Sequence, residues 1–135
     1  MGEGSYDTHF NQLPVHAALL AELAEGWASL LADLKASRLA DRVALLAFSE
    51  FGRRVEENAS GGTDHGTAAP VLLAGSRVRG GLIGTTPRLL DLENHDLKTS
   101  LDFRRVYAAM LEGWFGVSAE AALGGTFEPL PVFRS

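Results

Sequence analysis

Apolar positions recur along this chain in two rhythms, and the switches between them outline its elements. From Val15 to Ser37 the rhythm is helical. Leu19, Leu20, Leu23, Trp27, Leu30, Leu31 and Leu34 return every three or four residues behind Pro14, while Glu22, Glu25, Asp33 and Lys35 fall mainly on other faces. Gly26 is a mild cost inside that helix, and Trp27 reads as a core anchor. Arg42 to Phe48 is instead a continuous apolar run, the pattern of a strand buried on both faces as in parallel sheets. Val71 to Ala74 predicts a second short buried strand, and Gly80 to Gly84 a turn with a short edge strand. Between the first two strands, Phe51 to Thr67 holds Gly52, Gly61, Gly62 and Gly66 and reads as one long loop, of the length that compact domains reserve for function or mobility. Thr85 to Lys98 reads as irregular. Asp102 can cap a last helix from Phe103 to Phe115, with Val106, Tyr107, Met110, Leu111 and Trp114 as its apolar stripe and Gly116 as its stop. The tail from Glu128, with Pro129 and Pro131, reads as extended.

Helix, strand, loop, strand, helix is the order of an α/β sandwich, but two or three strands are few for an independent sheet. The expected architecture is a single domain over residues 1–135 that forms part of a layered α/β fold, with a mixed or mostly parallel sheet. At 135 residues the chain has one domain's length, and 46% apolar residues can fill a modest core. A formal charge of -5, spread along the chain, argues against nucleic acid and anionic membrane as partners. The absence of cysteine excludes disulfides, thiolate metal sites and cysteine nucleophiles. No apolar stretch is read as spanning a membrane. Met1 to Tyr6 has neither a basic n-region nor an apolar h-region, so no export signal is read, and the compartment stays open. The abrupt run from Met1 into Asp7-Thr8-His9 reads as an internal fragment or a truncated reading frame.

The chemistry gathers at three short segments. Asp7 and His9 lie two apart, so an extended segment would turn both toward one ion, or Asp7 would simply open an Asx-type turn. Glu50 follows the first strand directly, where open α/β sheets place their sites. It can pair with Arg53, or it can act as a ligand or base while Arg53 clamps an anion with its forked donors. Asp64 and His65 sit among Gly61, Gly62 and Gly66, which allow close backbone approach to a ligand. A neutral His65 can bind zinc while a carboxylate orients its ring; the alternative is a loop in which Asp64 caps a turn. His16 and His95 read as capping or surface residues. Ser49, Thr63 and Thr67 are nearby hydroxyls outside any nucleophile elbow, and neither a phosphate-binding loop nor a dinucleotide fingerprint is present.

Taken together, Tyr6-Asp7-Thr8-His9-Phe10-Asn11-Gln12, Phe48-Ser49-Glu50-Phe51-Gly52-Arg53 and Gly61-Gly62-Thr63-Asp64-His65-Gly66-Thr67-Ala68-Ala69-Pro70 resemble the bacterial family called domain of unknown function 1501. Gly80-Gly81-Leu82, Asp96-Leu97-Lys98 and Asp102-Phe103-Arg104-Arg105-Val106-Tyr107 fit the same pattern. The resemblance covers nearly the whole chain, as the carboxy-terminal portion of longer members that often carry an export signal. It implies a place in the alkaline phosphatase and sulfatase superfamily, a three-layer α/β/α sandwich, and a one- or two-metal site at the strand ends that hydrolyses phosphate or sulfate esters. On that reading Asp7, His9, Glu50 and His65 are ligands to a divalent ion (zinc, manganese or calcium), Asp64 a ligand or the support of one, and Arg53 an anion contact. Relatives usually have an Asp-His pair where Glu50 stands, which puts a second metal in doubt. The superfamily's nucleophile and first metal Asp have no counterpart in this sequence, so the expected function is the metal-binding portion of a hydrolase, inactive without a missing amino-terminal half. The competing expectation is a non-catalytic scaffold that self-associates through an incomplete sheet.

Overall fold

The computed structural model describes residues 5–134; the opening residues on which the export reading partly rests lie outside them. The long helix, α1, spans Gln12–Ala36, so it starts before Val15 and takes Pro14 into its first turn, where a missing N–H is harmless. Asn11 precedes it in the left-handed region (φ 44). The backbone N–H groups of Asn11 and Gln12 donate to the carbonyls of Ser60 (3.1 Å) and Gly61 (2.9 Å). A distant turn therefore satisfies donors at the start of the helix that its own backbone cannot. The expected stripe is real but shallow. Leu19, Leu23, Trp27, Leu31 and Leu34 are half-buried, no residue of α1 is buried, and Leu20 and Leu30 are exposed. Contrary to the sequence reading, α1 is long and apolar enough to cross a membrane by length and composition, with a window of mean hydropathy 1.2. Alanines and leucines outweigh its scattered charges in that average, although Glu22 and Glu25 are residues that a bilayer interior admits only at a cost.

The strands depart further from expectation. β1 (Leu45–Ala47) pairs antiparallel with β4 (Leu72–Ala74), Leu45 facing Ala74 and Ala47 facing Leu72. Between them, the segment expected to be a long loop is an antiparallel hairpin of β2 (Gly52–Glu57) and β3 (Thr63–Gly66). β5 (Leu92–Glu93) and β6 (Asp96–Leu97) form a third antiparallel pair inside the stretch read as irregular. Asn94 (φ 51) and His95 (φ 67) close it in the manner of a type I′ turn. Gly80 to Gly84 forms no strand. The chain is mixed α/β, as expected, but among the described residues each sheet has two strands and each is antiparallel, which corrects the expected mixed or mostly parallel sheet. The run Val43 to Phe48 supplies only three residues to a strand with one neighbour, and none of them is fully buried. An unbroken apolar run signals two covered faces only where enough chain exists to cover both.

The last helix divides. α2 spans Arg104–Ala108 and continues as a wider π turn over Ala109–Trp114, ending at Gly116 (φ 69) as expected. Asp102 Oδ1 accepts the Arg104 backbone N–H at 2.9 Å, the predicted cap. A short α3 (Glu120–Leu123), closed by Gly124 in the left-handed region, went unread in the sequence. The extended tail bridges back, Phe133 opposite Val78. The core is small: Ala109, Leu130 and Val132 are buried, with Leu73, Leu101, Val106 and Phe133 packed against them. No large side chain is completely buried among the described residues.

Candidate metal centre

The β2–β3 hairpin is the platform on which the candidate site is assembled. Arg53 and His65 are cross-strand partners, with a register shift between Arg53 and Glu57. Asn58 builds the turn: its Oδ1 accepts the N–H groups of Ser60 (2.9 Å) and Gly62 (3.1 Å). Residues 6–9 lie across this hairpin. At Gly62, which is buried, a Cβ would overlap the His9 carbonyl, so only glycine permits the approach.

Three side chains pin the crossing segment in place. The Arg53 guanidinium donates to Thr63 O (2.9 Å), Tyr6 O (3.2 Å) and Asp7 Oδ1 (3.1 Å). The Asn58 amide donates to His9 O and to Asp64 Oδ1, each at 3.2 Å. Gln12 links both halves, donating to Thr8 O (3.0 Å) and Thr8 Oγ1 (3.1 Å) while accepting from Thr63 Oγ1 (2.9 Å). Thr8, between the two candidate ligands, is buried.

The result is a compact triangle of donor atoms. Asp7 Oδ1 lies 2.7 Å from His65 Nε2 and 2.8 Å from His9 Nε2, and the two nitrogens are 3.0 Å apart. Protons cannot make a good bond along all three edges: if both nitrogens donate to Asp7, nothing joins them to each other. One cation shared by the three lone pairs satisfies every edge. The fit is chemical as well as geometric, because two imidazoles and a carboxylate form a recognised set for a divalent transition metal. The donors are the group able to hold an ion among the described residues. Their side chains are 41–46% exposed, which leaves room for further ligands on the solvent side. The hydrogen bond from His65, then the nearby His65 and His9 rings as charges, hold the Asp7 carboxyl below its ordinary range.

The other expected residues take different places. Asp64 Oδ1 stands 3.8 Å from His9 Nδ1, on the side of the ring away from the triangle, where it can orient His9. Glu50 is not among the converging donors. It is exposed at the end of β1, and Arg53, its expected partner, is held by Asp7 and two backbone carbonyls instead. With those contacts made, Arg53 anchors the ligand loop. Phe51, which attracted no attention in the sequence, stacks on His65 at 3.8 Å and 9° and fixes the plane of its ring. Asn58 and Gln12 were also missed; the signal for Asn58 was an Asn three residues before a Gly-Gly pair, a turn former. Among the described residues no hydroxyl is hydrogen-bonded to the side chains of Asp7, His9 or His65, so the geometry presents ligands and no nucleophile.

No curated protein matches the chain, and no solved structure does. A family profile matches residues 1–123, a span that takes in the hairpin, the crossing segment and all three converging donors. The chain belongs to the family described as "Protein of unknown function (DUF1501)".

Proposed function

We propose that Asp7, His9 and His65 bind one divalent metal ion, and that this chain supplies the metal-binding portion of a phosphate or sulfate ester hydrolase of the alkaline phosphatase and sulfatase type. The observation that carries the reading is the triangle of one oxygen and two nitrogens with edges of 2.7, 2.8 and 3.0 Å, built from segments 58 residues apart. Bound there, an ion would supply Lewis acidity toward an oxygen of the ester. The chain's own residues do the rest. Asp7 neutralises part of the charge, Asp64 orients His9, Phe51 orients His65, and Arg53 fixes Asp7 through the same carboxylate oxygen. Zinc or manganese suits the two imidazoles; calcium, which takes oxygen ligands, suits them poorly. On this reading the attacking group comes from another segment or another chain, in keeping with the lack, among the described residues, of a hydroxyl hydrogen-bonded to the triangle.

Elemental analysis of the purified, metal-loaded chain tests the reading directly. About one zinc or manganese per chain is expected, lost in both His65→Ala and Asp7→Ala. Metal-free protein, with both variants folded and unchanged, would overturn it. The scaffold alternative has its own support in the exposed apolar side chains Leu82 (81%) and Leu90 (101%) and in the lack, among the described residues, of any large side chain that is completely buried. Folded oligomers indifferent to metal would favour that alternative.

A further inference from the structure

A groove begins where the candidate metal centre ends. Its volume is about 670 Å³, within the range of small-molecule sites, and Phe51 is shared between the two: its ring stacks on His65, and the residue lines the groove. The other aromatic walls are Phe48, Phe103 and Tyr107. Phe48 and Phe103 each meet Tyr107 edge-on, at 5.7 Å and 5.4 Å between centroids, so the three rings form one ordered cluster. Phe48 and Phe103 nevertheless remain 58% and 60% exposed. Arg53 lies over Phe51 at 5.2 Å, so that ring already has a cation, and the aromatic lining left to meet a ligand is Phe48, Phe103 and Tyr107.

The charges at this groove are unequal in availability. Asp102 and Arg104 are locked together at 2.6 Å, and Arg104 also lies over Phe127 at 4.2 Å. Glu50 lines the groove and has no hydrogen-bond or ion-pair partner among the described residues. Aromatic faces beside one free carboxylate are the recognition chemistry of an organic ammonium ion: the rings offer their negative faces and the carboxylate a full charge. Neither a neutral apolar group nor an anion would use Glu50.

We infer that the groove of Phe48, Phe103, Tyr107 and Glu50 binds an ammonium group, and that the ester acted on at the adjacent Asp7–His9–His65 centre is one whose alcohol carries that group. The second half rests on the metal reading above; the first does not. Glu50, expected from the sequence to be a metal ligand, acquires in this way a different task beside the same site.

Calorimetric titration of the metal-free chain with choline chloride, and with the neutral tert-butyl isostere of choline, tests the groove alone. Choline is expected to bind about tenfold or more tightly than the isostere. Glu50→Gln should abolish that preference while leaving metal content and the circular dichroism spectrum unchanged, and Phe48→Ala should weaken choline. Equal binding of the two probes, or a preference that survives Glu50→Gln, overturns the inference. Phosphocholine should then bind the metal-loaded chain more tightly than choline does. If it gains nothing from the metal while the choline preference holds, the ammonium site stands and the ester assignment falls.

Discussion

Asp7 Oδ1 meets His65 Nε2, His9 Nε2 and Arg53 Nη2 at once, at 2.7, 2.8 and 3.1 Å. One exposed oxygen thus carries most of the local electrostatics, and two other residues show how local such effects are. The fork between Arg104 and Asp102, reinforced by the Arg104 backbone N–H, pulls the Asp102 carboxyl from 3.8 down to about 2. A folded-state value below the unfolded one means the contribution is present above pH 3.8 and fades as the pH falls toward 2. In a carboxyl titration followed by NMR, Asp102 should therefore titrate near 2, and Arg104→Ala should return it toward 3.8. An unchanged midpoint in that variant would show that the fork is absent in solution. The contact is exposed and joins residues two apart, so its effect should stay at the start of α2.

At the scale of elements, the hairpin turn does two jobs with one residue. Asn58 closes the β2–β3 turn through its carbonyl oxygen and grips His9 O and Asp64 through its amide. Asn58→Ala should weaken zinc about 10- to 100-fold in a competitive chelator titration, as loss of a ligand's supporting contacts generally does, with the ligands themselves intact. Asn58→Asp keeps the turn acceptors but loses the two donations, so it should fall between wild type and alanine; equality with wild type would confine Asn58 to the turn. This dual use explains what the sequence made legible. The helix, the cap at Asp102 and the stop at Gly116 each rest on near neighbours and can be read from local pattern; Asp7, His9 and His65 stand out as candidate ligands in their own short segments, but their meeting spans 58 residues and cannot be read that way. The hairpin could not. Its outward side chains Arg54, Val55 and Glu56 are exposed without a clean alternation, and its pairing depends on Gly52 and Gly66, which usually argue against strands. Glu50 was misplaced for a related reason. A strand end fixes where a side chain starts, whereas the competition between Asp7 and Glu50 for Arg53 is decided by the distant crossing of residues 6–9.

For the whole molecule, the small core matters most. Separate two-stranded pairs are marginal on their own, and only six apolar residues among those described are buried. The start of α1 is held by the hairpin tip, and α1 itself shields little. The crossing of residues 6–9 over the hairpin thereby joins two parts of the chain that the core does not hold together. An ion at its centre would close a ring of backbone from Asp7 to His65, 58 residues apart. A covalent link over that span is worth about 4 kcal/mol in chain entropy, and metal ligation acts on the unfolded chain in the same sense. Stripping the metal with a chelator should lower the melting temperature by several degrees and restore it on readdition, while His65→Ala should melt low either way. An identical melting curve with and without metal would show that the ring is not closed. The ion would then serve this cysteine-free chain as its crosslink, one made and broken by metal supply and acidity rather than by oxidation.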